Sequence, residues 1–172
     1  MARRPGRHHR GQKARVPNVG FNPLVTTTNP MRQIAKRMNA ALNLADLAAL
    51  PVLFVLEVTR SNGRPHLHGV FISNGISISR IQKVIRQAVG YVAGHSGSRQ
   101  FMSCNMYDPD GWAKYIQKDL KHTRRLLKLS NDERLTWVSR PMTQFARDQY
   151  KAVRLGRMNT SNFNAKPILQ AS

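Results

Sequence analysis

An α+β fold, an antiparallel sheet with helices packed on it, is the class this sequence predicts, and three observations carry it. Stretches of strand periodicity alternate with stretches of helical periodicity. Two of the strands flank Asn62-Gly63, the strongest short-range hairpin signal. Helix starts recur as a cap residue followed by proline, at Asn29-Pro30 and Asp108-Pro109. The order expected is β-α-β-β-α-β-α, which suggests the ferredoxin-like, split β-α-β kind with the hairpin at its centre. At 172 residues one core is the default. A disordered basic arm is expected over 1–20, one folded domain over 21–155 and a polar tail over 156–172.

Each element has its own signal. The β-branched run Leu24 to Thr28 reads as the first strand. Asn29 then caps a helix over about Pro30–Leu47, where Ile34, Met38, Ala41, Leu42, Ala45 and Ala49 form one apolar stripe. Pro51 stops it. Val52–Thr59 and His66–Ser73 are the hairpin strands. Ser79 and Gln82 have capping-box spacing ahead of a stripe of Ile81, Val84, Ile85, Ala88 and Val92, which Gly94 and Gly97 end. Gln100–Tyr107 alternates Met102, Cys104 and Met106 against Phe101, Ser103 and Asn105, as a half-buried strand does. Asp108-Pro109 opens a helix with Trp112, Ile116 and Leu120 towards the core, and Met142–Leu155 reads as a final helix. For 121–141 two readings stand, an additional strand pair or a loop collar.

Charge narrows the function. Lys and Arg number 28 against 8 Asp and Glu, a formal net charge of +20. Such an excess repels itself unless a polyanion neutralises it, which points to nucleic acid or, less readily, to an anionic membrane surface. Hydrophobic residues at 41% permit a packed core, which disfavours a wholly disordered basic protein. The single Cys104 can form neither an internal disulfide nor a cysteine zinc site, and a reducing compartment, the cytoplasm, is expected. Leu47–Leu56 is too short to span a bilayer, so no membrane association is expected. Arg3, Arg4, Arg7, Arg10, Lys13 and Arg15 lie in a segment whose Pro5, Gly6 and Gly11 argue against an amphipathic transit peptide, and they are expected to meet phosphates. Gly6–Lys13 has the outline of a phosphate-binding loop, but Gln12 stands where lysine should and no Ser or Thr follows Lys13, which argues against nucleotide hydrolysis.

The chemistry concentrates in two places. A two-residue Asn62-Gly63 loop pairs Ser61 with Arg64, so Thr59 faces His66 and Glu57 faces His68. His-x-His on a strand sets two imidazoles side by side, and with the opposite carboxylate they make a ligand set for a divalent ion with open positions. Glu57 is a lone acid in an apolar strand, where an unpaired carboxylate is costly and a metal satisfies it. The plainer reading makes the histidines ordinary strand residues and pairs Glu57 with Arg60 or Arg64. The second place is Trp112-Ala-Lys-Tyr115-Ile-Gln-Lys118, where Tyr115 and Lys118 share a helix face. Lys114 and Lys121 flank it as further phosphate contacts.

Taken together, His66-Leu67-His68 and Tyr115-x-x-Lys118 resemble the metal and nucleophile motifs of the HUH endonucleases, in the order found in rolling-circle replication initiators. The resemblance spans roughly Leu24 to Leu120, and Leu24–Thr28 resembles the family's first strand. It implies a metal-assisted cut in single-stranded DNA at a replication origin, which can form a hairpin, with Tyr115 as the nucleophile. No tyrosine lies four residues from Tyr115, since Gly111 and Asp119 occupy those positions, so a single-tyrosine enzyme is implied. A phenol is a weak nucleophile at neutral pH, its ordinary pKa being about 10, and needs charge stabilisation at the phosphate. A divalent ion, Mg²⁺ or Mn²⁺, on Glu57, His66 and His68 would polarise the phosphate while Lys118 offsets charge near Tyr115. The resemblance implies a plasmid or phage origin and a host helicase as partner. A single-tyrosine transposase, and a nonenzymatic basic nucleic-acid-binding protein of the same fold, are the competing readings.

Overall fold

The computed structural model describes residues 14–20, 29–60, 63–92 and 100–156. Its elements follow the chain as β1 (Ala14–Gly20), α1 (Pro30–Leu44), β2 (Val52–Val58), β3 (Pro65–Ile72), α2 (Ile78–Val89), β4 (Phe101–Asn105), α3 (Pro109–Tyr115), α4 (Leu120–Leu126), β5 (Thr136–Val138) and α5 (Arg140–Arg154). The strands form one antiparallel sheet in the order β4-β1-β3-β2-β5, so the fold is α+β. β3, returning from the hairpin, lies between β1 and β2.

The core sits on one face of this sheet. Ile34, Met38 and Leu42 of α1 and Ile81, Ile85 and Ala88 of α2 join Val19, Phe54, Leu56, Leu67, Phe71 and Phe101 in one buried cluster. Strand side chains alternate between faces, so Val55, Glu57, His66 and His68 project from the other one. β2 is buried along almost its whole length, which puts even its non-core face out of solvent. Gly69 permits the close approach of the two central strands: a Cβ there would lie 2.4 Å from the Leu53 carbonyl oxygen and 2.5 Å from the Phe54 ring.

The caps behave largely as their sequence implies. The Asn29 side chain accepts from Arg32 N at 3.2 Å and that of Asp108 from Gly111 N at 2.9 Å. Ser139 caps α5 and also ties it to the sheet, accepting from Val52 N at 2.9 Å and donating to Leu50 O at 3.2 Å. The cap of α2 is Ser77 rather than Ser79, and that helix stops at Gly90, with φ +81°, before reaching Gly94 and Gly97.

Other expectations are corrected. Ala14–Gly20, expected as the end of a disordered arm, is β1, an inner strand paired on both sides. The hairpin loop is longer than two residues. Thr59 N donates to Arg64 O at 3.0 Å and Gly63, with φ +63°, closes a four-residue loop, so Glu57 pairs with His66 and Val55 with His68. That register differs from the expected one by two residues, which leaves the three ligand-type side chains on one face. The helix expected to reach Leu120 ends at Tyr115; Ile116 is buried, whereas Trp112 and Leu120 are half-buried. Residues 121–141 are neither a strand pair nor a loop collar, because α4 continues to Leu126 and β5 adds one short strand to the edge of β2. The strand expected at Leu24–Thr28, the arm cations Arg3, Arg4, Arg7, Arg10 and Lys13, the glycines 94 and 97, and the tail beyond 156 lie outside the described residues. Among the described residues no helix is long and apolar enough to cross a membrane.

Candidate metal centre

Glu57 on β2 and His66 and His68 on β3 each present one donor atom, and the three atoms lie within 4.8 Å of one another. The two imidazoles are two residues apart on one strand, which places both on the face away from the helices α1 and α2. His66 Nε2 stands 2.9 Å from His68 Nε2, and Glu57 Oε2 stands 3.2 Å from His68 Nε2. The side chains of Glu57 and His68 are 8% and 10% exposed, so these two are sheltered from bulk water, while His66 is half-buried.

Neighbouring groups orient the first imidazole. His66 Nδ1 lies 3.2 Å from the Arg64 carbonyl oxygen and 3.3 Å from Thr59 Oγ1, while the Thr59 hydroxyl donates to the same carbonyl at 3.2 Å. These acceptors assign the proton to Nδ1 and leave the Nε2 lone pair facing the cluster, the arrangement that metal-ligating histidines use. Glu57 Oε2 is buried with no hydrogen-bond partner among the described residues. Leaving a carboxylate oxygen so is costly, and a cation bound by it and the two imidazoles removes the cost. The donor set therefore fits a divalent metal ion on its own chemistry, and Glu57, His66 and His68 together could hold one.

Electrostatics point the same way. Burial pushes His68 down to about 4, helped by neighbouring His66 and by the Lys118 ammonium, and burial likewise lowers His66. Both imidazoles are therefore neutral at physiological pH, the form that coordinates metal. Burial raises the Glu57 carboxyl, and nearby Asp119 raises it further, against the opposing pull of Lys118.

Over this cluster lies the end of α3. The Tyr115 ring meets His68 edge-to-face with centroids 5.3 Å apart, and the side chain remains 42% exposed. The Lys118 ammonium sits 3.6 Å from the Tyr115 ring centroid. Although α3 stops at Tyr115, a tight turn with Lys118 N donating to Tyr115 O at 3.3 Å keeps the two residues together. Lys114 and Lys121 are exposed on α3 and α4 to either side. Arg15 is different: it pairs with Phe71, on the core side, and its guanidinium donates to Asn105 Oδ1 at 3.1 Å and Ser103 O at 3.2 Å. It is a strand residue engaged within the sheet, not a cation of a free arm.

Two anchoring contacts have no counterpart in the sequence reading. Arg60, a candidate partner of Glu57 by sequence, instead grips Asp119 Oδ1 through Nε at 2.7 Å and Nη2 at 2.5 Å, and this bond holds the buried Asp119 carboxyl below its usual range. The fully buried Thr123 accepts from Val58 N at 3.0 Å. Both tie the turn and helix after Tyr115 to the hairpin that bears the ligands. Asp119 carried a signal, an acid directly after Lys118 in a very basic chain. Thr123 carried none, because its partner is a backbone amide remote in sequence. No family model, curated protein or solved structure matches this chain.

Proposed function

We propose that this chain is a metal-dependent endonuclease and strand transferase that cuts single-stranded DNA through a covalent phosphotyrosine, and that it initiates rolling-circle replication of a plasmid or phage in a bacterial cytoplasm. The observation that carries this reading is the packing of Tyr115 on His68. A tyrosine that stays 42% exposed while its ring packs on one imidazole of a cluster of two neutral imidazoles and a buried carboxylate is an arrangement suited to phosphoryl transfer, and a solubilising surface residue has no need of it.

Mg²⁺ or Mn²⁺ held by Glu57, His66 and His68 would supply Lewis-acid polarisation of the scissile phosphate, with the two imidazoles favouring Mn²⁺. The chain's own residues do the rest. Tyr115 Oη bonds to phosphorus as one P–O ester bond breaks; the phenol loses its proton and the released hydroxyl gains one. Lys118 offsets the charge that develops beside the ring. The phosphodiester bond is conserved as the tyrosyl ester, so the reverse transfer rejoins a strand without nucleotide hydrolysis.

The test is mass spectrometry after incubation with single-stranded oligonucleotides and Mn²⁺. A nucleotide adduct is expected on Tyr115 and on none of Tyr91, Tyr107 and Tyr150, which are 61%, 70% and 68% exposed and so report whether exposure alone makes a tyrosine reactive. Tyr115→Phe should keep DNA affinity and lose the adduct. DNA binding without any metal-dependent adduct in the wild type would leave a nonenzymatic binding protein.

A further inference from the structure

A second feature lies away from the metal centre, at the β5 edge of the sheet. A cleft of about 800 Å³ opens between the start of α1, β5 and α5, within the size range of ligand sites, roughly 300–1,000 Å³. Among its lining residues are Arg32, Arg134, Thr136, Trp137 and Thr143. Trp137 is half-buried and held parallel to Phe54, at 12° and a centroid separation of 6.4 Å, so its indole is a fixed platform with one border on the cleft. Arg32 and Arg134 are exposed, and among the described residues neither guanidinium engages a carboxylate. Asp132 also lines the cleft, and the two arginines outnumber it. Trp137 pairs with Phe54, whose side chain belongs to the core face, so the cleft and the ligands Glu57, His66 and His68 belong to opposite faces of the sheet.

An aromatic platform flanked by arginines on a chain of net charge +20 matches the chemistry of a single nucleic-acid strand, whose bases stack and whose phosphates are anionic. A neutral apolar ligand would leave both guanidinia unused, and an acidic peptide would have no need of a flat ring. We propose that this cleft is a second binding site for single-stranded DNA, with a base stacked on Trp137 and flanking phosphates on Arg32 and Arg134. The choice of DNA rests on the nuclease reading above; the site itself does not use the metal centre.

Trp112 and Trp137 are the two tryptophans of the chain, so Trp112→Phe leaves Trp137 as the only indole emitter. With Tyr115→Phe added to prevent cutting, titration with a fluorescently labelled oligothymidine gives total binding by anisotropy and occupation of the cleft by Trp137 quenching. Trp137 quenching should accompany the rise in anisotropy and saturate. Separately, Arg32→Gln with Arg134→Gln in the otherwise native chain should weaken binding about tenfold at moderate salt. It should flatten the slope of log affinity on log salt by roughly 1.4, at about 0.7 per phosphate contact on single strands, and leave Mn²⁺ affinity unchanged. Binding without Trp137 quenching, or a double variant with native affinity and slope, overturns the proposal. If nicking persists in that case, the nuclease reading stands without the cleft. If the cleft binds DNA and wild-type protein forms no adduct, the nuclease reading fails alone. Absence of any binding sinks both.

Discussion

At the scale of single residues, the centre trades stability for ligand chemistry. Burial raises the Glu57 carboxyl, which means that the folded chain disfavours its charged form. The sign comes from linkage. A carboxyl raised on folding destabilises the metal-free protein above its unfolded pKa, and the cost disappears as pH falls and the folded group protonates. His68 runs the other way: its folded value of about 4 lies below the ordinary 6.5, so unfolded chains take up a proton that the fold refuses. That contribution lowers stability as pH drops from 6.5 towards 4, with a limiting slope of about 1.4 kcal/mol per pH unit. Glu57→Gln, which keeps the shape and removes the charge, should therefore stabilise the metal-free protein at neutral pH while weakening Mn²⁺ binding. Denaturant unfolding with and without the ion reads both effects. Wild type should gain about 2.7 kcal/mol at an ion concentration of about 100 Kd, and the paired His66→Ala, His68→Ala chain should gain nothing. A Glu57→Gln chain that is less stable without metal would show the carboxylate to be satisfied by the protein itself.

At the scale of elements, Tyr115 takes its position from the turn and helix on its C-terminal side. α3 is seven residues long with none of them buried, too short to hold Tyr115 in place by its own packing. The Arg60–Asp119 pair and the Thr123–Val58 hydrogen bond supply the anchorage. Thr123→Val preserves volume but leaves the Val58 N–H buried without an acceptor, so stability should fall by about 1–3 kcal/mol in denaturant unfolding. Adduct formation should fall more than Mn²⁺ affinity does, since the ligands stay on the hairpin. Equal stability of variant and wild type would mean that another acceptor takes the amide. The same elements show what a sequence makes legible. The stripes of α1 and α2, the proline starts and the face shared by Glu57, His66 and His68 all arise from local periodicity and are readable. β1 is not, because Pro17 in a strand interior argues against a ladder it cannot donate to. The fold accommodates it where the β1–β3 pairs skip from Arg15 with Phe71 to Asn18 with His68, while on its other side Pro17 pairs with Ser103 of β4. The hairpin register is equally hidden, because a left-handed glycine closes a four-residue loop as readily as a two-residue one. The site is insensitive to that difference because pleating repeats every two residues. β5, three residues long, exists through its pairing with β2 and has no periodicity of its own.

At the scale of the whole molecule, charge and chemistry are separable. The candidate ligands Glu57, His66 and His68 lie on the hairpin strands and Tyr115 and Lys118 at the end of α3 and in the turn after it, whereas the +20 is spread along the chain. Five of the cations, Arg3, Arg4, Arg7, Arg10 and Lys13, precede β1. Arg15 drops out of that group because its guanidinium is engaged between β1 and β4. If about half of these five neutralise phosphates, deleting residues 2–13 should flatten the dependence of log affinity on log salt by roughly 2 for single strands. The effect should be large at low salt and shrink as ions screen the contacts. Adduct formation on an already bound oligonucleotide should change little, because Glu57, His66, His68, Tyr115 and Lys118 are brought together by the hairpin, α3 and the turn after it. Filter binding across a salt series and single-turnover cleavage at saturating DNA measure the two quantities independently. A native salt slope would make the segment a bystander in binding. A collapse of single-turnover cleavage with the slope reduced would mean that it helps to build the active site, and would move the boundary of the catalytic unit to a position before β1.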